Sequence, residues 1–112
     1  MQGLSLEGLV DEHLAIAREH ESGRSAVTIH GGREHHLRQT LIALATGRAL
    51  GEHDSPDEST LQVLRGRVRL HTGEDDWEGG VGDFLVIPPD RHDLTALEDA
   101  AVLLTVTNRL AD

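Results

Sequence analysis

Apolar positions recur along this chain at two different periods. Leu6, Leu9, Val10, His13, Leu14 and Ala17 fall at helical spacing, one apolar stripe on an otherwise charged segment. Ser5 stands where it can cap that segment. Glu7, Asp11 and Glu12 lie near its positive end, Arg18 and His20 near its negative end, and Ser22-Gly23 stops it. The pattern predicts one amphipathic helix. Its stripe must be buried, either across a face of the remaining fold or against a second subunit. His13, at the stripe's edge, reads as a packing or surface histidine.

Beyond Gly23 the period shortens to that of strands. Residues 25–29 and 35–45, joined by the Gly31-Gly32 turn, predict a hairpin. His30, His35 and His36 gather around that turn and read as exposed polar residues; His36 is the one that enters the interior if its strand has the right phase. Residues 54–58 are acidic and contain Pro56, which predicts a loop or a bent strand. Residues 60–64 form a strand, and Gly66 marks a tight turn or bulge. Val68 and Leu70 then alternate with Arg67, Arg69 and His71, a strand with one buried and one wet face. Residues 73–76 form a hairpin tip and Trp77 opens the next strand. Residues 84–87 are apolar without alternation, which predicts a strand buried on both faces, ended by Pro88-Pro89. Residues 92–97 and 101–106 are the last strands, and 110–112 a tail. Short strands punctuated by Gly, Pro and Asp point to a closed or sandwiched all-β unit.

Composition narrows the picture. A chain of 112 residues fits one domain, here a helix over residues 1–24 and a barrel over 25–112. Aromatic residues make up only 2%, so the core is built from Leu, Val, Ile and Ala, and the stacking platforms of single-strand nucleic-acid readers are missing. A net charge of −10 repels phosphate backbones, which argues against a nucleic-acid partner. Arg65, Arg67 and Arg69 are expected to share one solvated face with nearby carboxylates. Without cysteine there is no disulfide framework, thiolate metal site or cysteine nucleophile. The chain shows no apolar run of membrane-span length and no basic-then-apolar N-terminal stretch. The expectation is a cytoplasmic protein with no membrane partner.

Two spacings are more specific than the strand pattern. Gly47, five residues, His53, one residue, Ser55, three residues, Ser59, six residues and Gly66 make one frame. Gly82, five residues, Pro88 and a nearby His92 make a second. In this order the frames resemble the two motifs of the cupins. The resemblance implies a small single-domain barrel of the RmlC-like type (a double-stranded β-helix, or jelly roll) with an N-terminal helix. It also implies an interior site in which two His and one Glu from the first motif and one His from the second hold a divalent metal such as Mn, Fe, Ni or Zn. His53 matches the first position. Ser55 stands in place of the second His and Ser59 in place of the Glu. Strict counting from Pro88 puts the fourth on Asp93; a loop one residue shorter puts it on His92, which keeps the strand register. Asp90 replaces the usual glycine. Asp54, Glu58 and His36 are the substitute donors within reach, although alternation turns Asp54 and Glu58 away unless a bulge near Pro56 turns one back.

Three functions follow. The first is a small-molecule-binding protein with a polar pocket of His53, Ser55, Ser59 and His92, its catalysis degenerate or absent. The second is a metal-dependent oxygenase, isomerase or decarboxylase centred on His53 and His92. The third is a structural or stress-related accessory protein with an incidental pocket. Metal-free catalysis would use His53 or His92 as a general base assisted by Asp93. Cupins of this size imply a homodimer, and the helix stripe and barrel edges give a physical reason for one.

Overall fold

The structure is a computed structural model that describes residues 1–52 and 58–107. Helix α1 spans Leu6–Glu19, and the Ser5 hydroxyl caps it by accepting from the Gly8 amide at 3.0 Å. Eight strands follow: β1 (Arg24–His30), β2 (Leu37–Leu44), β3 (Ser59–Arg65), β4 (Arg67–Thr72), β5 (Asp76–Gly80), β6 (Phe84–Val86), β7 (His92–Ala96) and β8 (Ala100–Thr107). They form two sheets, five strands in the order β1-β2-β8-β3-β6 and three in the order β5-β4-β7. The pairings within both sheets are antiparallel.

The two sheets face each other over one apolar cluster. Ile42 and Leu44 of β2, Leu61 and Val63 of β3 and Val102 of β8 meet Val68, Leu70 and Leu94 of the smaller sheet. Alternation sends the intervening residues to the outside. There Leu41, Ala43 and Ala101 form a second cluster with Val10, Leu14 and Ala17 of α1. The apolar stripe of the helix is thus buried on its own chain, against the outer face of the larger sheet. His13, at the edge of the stripe, is hydrogen-bonded through Nδ1 to the Ser25 hydroxyl at 2.6 Å.

Two expectations need correction. The run after Asp83 is not buried on both faces. β6 is an edge strand, with Phe84 59% and Val86 68% exposed, while Leu85 and Ile87 pack toward the core cluster. Nor do the three arginines share a stripe. Gly66 lies between Arg65 at the end of β3 and Arg67 at the start of β4. Arg65 reaches Asp11 of the helix at 3.0 Å, and Arg67 and Arg69 reach Glu78 at 4.0 and 2.7 Å. His71, on the wet face of β4, pairs with Asp76.

Gly66 is held by geometry. Its φ is +74°, and a Cβ there would sit 2.1 Å from the Asp99 carbonyl oxygen. The Asp99 side chain in turn ties three elements together. It accepts from the Arg18 guanidinium of α1 at 2.6 Å, and from both the amide and the hydroxyl of Thr46 at 2.8 Å. The hydrogen bond from Arg18, then those from Thr46, lower its carboxyl from 3.8 to about 2. A depressed carboxylate stabilises the fold at pH values above its unfolded value, and that contribution is lost as the pH falls through the folded value. Discounted for the solvent exposure of both partners, it is worth about 1 kcal/mol. Asp99→Asn is therefore expected to lower stability by about 1 kcal/mol at neutral pH, and the gap to the parent should close between about pH 4 and pH 2. Urea unfolding followed by circular dichroism across that range checks it; a gap that stays constant would contradict the assignment.

Candidate functional site

The site lies between the two sheets, where β7 begins. His92, its first residue, pairs with Thr72 of β4 and is 4% exposed. Its Nδ1 is 2.9 Å from the Asp90 carbonyl oxygen. A carbonyl only accepts, so Nδ1 carries the proton and donates to it. The ring forms part of the wall of a cavity of about 20 Å³, whose other lining side chains are aliphatic, among them Leu61, Leu70, Ile87 and Leu94. That volume is close to the room needed by one water molecule.

This inner cavity adjoins a larger one. Ile42, Leu50 and Leu104 line both it and an open groove of about 400 Å³ along the inner face of β1 and β2. The groove's polar lining includes Arg24, Arg38 and Thr40. These residues share the strand parity of the core. Thr40 and Arg38 precede Ile42 by two and four positions, and Ala26 and Thr28 of β1 are registered with Ile42 and Thr40. The smaller sheet does not cover this end, so Arg24, Ala26 and Arg38 are exposed. The sequence reading missed them. The signal was present, because period-two counting back from Ile42 puts two polar residues on the core face.

The residues expected at the site separate into three groups. His53, Ser55 and Asp54 lie outside the described residues. Ser59 and His92 are both buried. Ser59 begins β3 on the same face as Leu61 and Val63, 5% exposed, and its hydroxyl has no hydrogen-bond partner among the described residues. His36 and Glu58 are exposed, His36 in the bend before β2 rather than inside. Asp93 faces away from His92, because neighbours on a strand point to opposite sides; its carboxylate accepts from the Gly51 amide at 2.8 Å. It therefore does not assist His92, whose Nδ1 partner is a backbone carbonyl.

These placements bear on a metal. Among the described residues, no three His, Cys, Asp or Glu side chains come together as a ligand set. His92 faces aliphatic neighbours, and the orphaned donor near the interior is a serine hydroxyl, a weak ligand for the borderline metals. The described donors do not fit a divalent cation.

Solved structures share this fold. A cupin superfamily protein from Desulfitobacterium hafniense superposes with a TM-score of 0.77 over 96% of this chain and 92% of its own, at 14% identity. The chain has the cupin fold. A cupin 2 conserved barrel domain protein from Salinispora arenicola matches with a TM-score of 0.68, 16% identity, and coverage of 96% of this chain and 89% of its own. A conserved protein from Streptococcus pyogenes matches with a TM-score of 0.71 and 24% identity, over 82% of this chain and 80% of its own. Neither a protein-family model nor a curated protein matches the sequence. No helix among the described residues is long and apolar enough to cross a membrane.

In this cupin barrel the Ser59 hydroxyl is a test of whether the interior is built for packing alone. An unpartnered buried hydroxyl costs about 1 kcal/mol or more. Ser59→Ala is expected to raise stability by about 1 kcal/mol, measured by urea unfolding. A loss of stability would mean that the hydroxyl has a structural partner.

Proposed function

We propose that this cupin barrel binds a small organic molecule, without chemistry of its own, in the pocket that runs from the open groove to His92. The observation that carries the reading is the buried imidazole of His92, held in one tautomer by the Asp90 carbonyl at the end of an otherwise aliphatic interior. Packing alone does not require an imidazole there, and an aliphatic side chain would fill the space without a polar atom to satisfy. The groove above it has the size of a small-ligand site, with an apolar floor and few polar groups. His53 and Ser55 belong to the same proposed pocket on the strength of the motif frame. A thermal-shift screen of metabolite-sized molecules tests the reading. A ligand at a hundred times its Kd stabilises the fold by about 2.7 kcal/mol. His92→Ala should abolish that shift, and His71→Ala, on the outer face, should leave it intact. A shift unchanged in His92→Ala overturns the pocket assignment. Near-stoichiometric metal in the untagged protein, lost in His92→Ala, would favour a metal-dependent enzyme instead.

The protein is further proposed to act as a homodimer through β6. This strand is one of the two edges of the larger sheet, and it carries exposed Phe84 and Val86 next to exposed Val81. An apolar edge strand left open invites pairing with another chain, and a second copy covers it symmetrically. Phe84→Arg is expected to convert a dimer to a monomer in light scattering at micromolar concentration. A parent protein of monomer mass would refute the proposal.

A further inference from the structure

The open groove holds two cationic groups with no carboxylate partner among the described residues. Arg18, Arg65, Arg67, Arg69 and Arg91 each reach a carboxylate. Arg24, Arg33, Arg38 and Arg48 reach none among the described residues, and of these Arg24 and Arg38 line the groove, in a chain with 20 acidic and 10 basic residues. Arg24 donates to the Leu50 carbonyl at 3.1 Å. Arg38 has no hydrogen-bond or ion-pair partner among the described residues. Among those residues no carboxylate lines the groove. An acidic protein that leaves two guanidinium groups unpaired at one concavity has a local potential opposite to its overall charge.

The two arginines stand at opposite ends of the groove. Arg24 is registered with Leu44, six positions along β2 from Arg38. At about 3.3 Å per residue their Cα atoms are about 20 Å apart. One carboxylate cannot engage both backbones' positions symmetrically; two anionic groups joined by a spacer can. Between them the floor is Ala26, Ile42, Leu50 and Leu104, with the Thr40 hydroxyl beside it. The stem of Arg38 is seated over Gly31, where a Cβ would lie 2.8 Å from the Arg38 Cγ. Gly31, at φ +127°, thus leaves the room that this side chain occupies.

We propose that the groove takes an elongated organic diacid, one carboxylate on Arg38 and the other on Arg24, with its aliphatic spine over Ile42 and Leu104. This rests on the reading of the groove as the entrance to the ligand pocket. Guanidinium groups bind carboxylates through paired, charge-assisted hydrogen bonds, and an aliphatic floor favours a spine without hydroxyl groups. The two ends together set the length of the ligand.

Isothermal titration with linear diacids from succinate to suberate, the monoacid of matching chain length and the corresponding diol tests it. The best-fitting diacid is expected to bind about tenfold or more tightly than the monoacid, and the diol not to bind. Arg38→Gln, which removes a side chain without a protein partner, should bring diacid affinity down to that of the monoacid. Arg24→Gln should do the same, and Glu7→Gln, on the helix at the outer face of the sheet, should change nothing. Circular dichroism of each variant confirms that it is folded. Absence of diacid binding, equal binding of diacid and diol, or diacid binding unaltered in Arg38→Gln overturns the inference. If a neutral molecule from the screen binds and depends on His92, the pocket reading stands while the diacid inference falls. If diacids depend on both arginines but not on His92, the diacid inference stands and the inner part of the pocket falls.

Discussion

Everything in this molecule depends on the larger sheet being covered on both sides. A strand in its middle has no wet face, and β2 and β8 show the result. Residues 41–44 are all buried, and Ala100, Ala101 and Val102 are at most 1% exposed. On the outer side the contact is made close by small residues: Ala43 and Ala101 on the sheet and Ala17 on the helix are each fully buried. On the inner side the bulk is larger, with Leu44, Leu61 and Val63 meeting Val68, Leu70 and Leu94. The helix and the smaller sheet are therefore two halves of one solution. Removing either would leave a row of aliphatic side chains in water at about 25 cal/mol per Å² of exposed apolar area.

The same constraint places the pocket. Three strands cannot cover five. Where the smaller sheet ends, no described strand covers the inner face of β1 and the first half of β2, and the residues on the core parity change from Leu44 and Ile42 to Thr40 and Arg38. The interior thus grades from dry to wet along a single strand. His92 sits near the boundary, with its ring in the dry part and its Nδ1 tied to the turn that precedes β7.

How far the sequence revealed this varies with the type of signal. The helix, its cap and the first hairpin were readable because their periods and breakers are local. β4 was readable because one of its faces is wet, and alternation shows itself only when the faces differ. β6 was misread for the same reason: an unalternating run such as residues 84–87 looks the same as residues 41–44, although one is an edge and the other a centre. Only the strand order separates them, and strand order is not a local property. His36 was read as an exposed turn residue that would enter the interior only with the right strand phase, and it lies exposed in the bend before β2, where strand alternation no longer applies. The choice between His92 and Asp93 turned on one residue of register, which decides the face for every side chain that follows. The motif frame pointed to His92 and Ser59, which are both buried, whereas Arg24 and Arg38 went unnoticed because attention to expected metal donors passed over cations on the core face.

The distribution of polar groups along the pocket follows from the cost of burying each. An imidazole that is neutral can be enclosed if its N–H has an acceptor, and the Asp90 carbonyl supplies one. A guanidinium never loses its charge, so without a carboxylate it cannot be enclosed at all, and Arg24 and Arg38 stay exposed at the two ends of the groove, where water reaches them. That placement suits recognition. A side-chain stem already seated need not be reordered when an anion arrives, and that of Arg38 is seated over Gly31. The arrangement thus separates two tasks along one groove. On the proposed reading, charge selects at the two exposed ends and shape selects along the aliphatic floor between them.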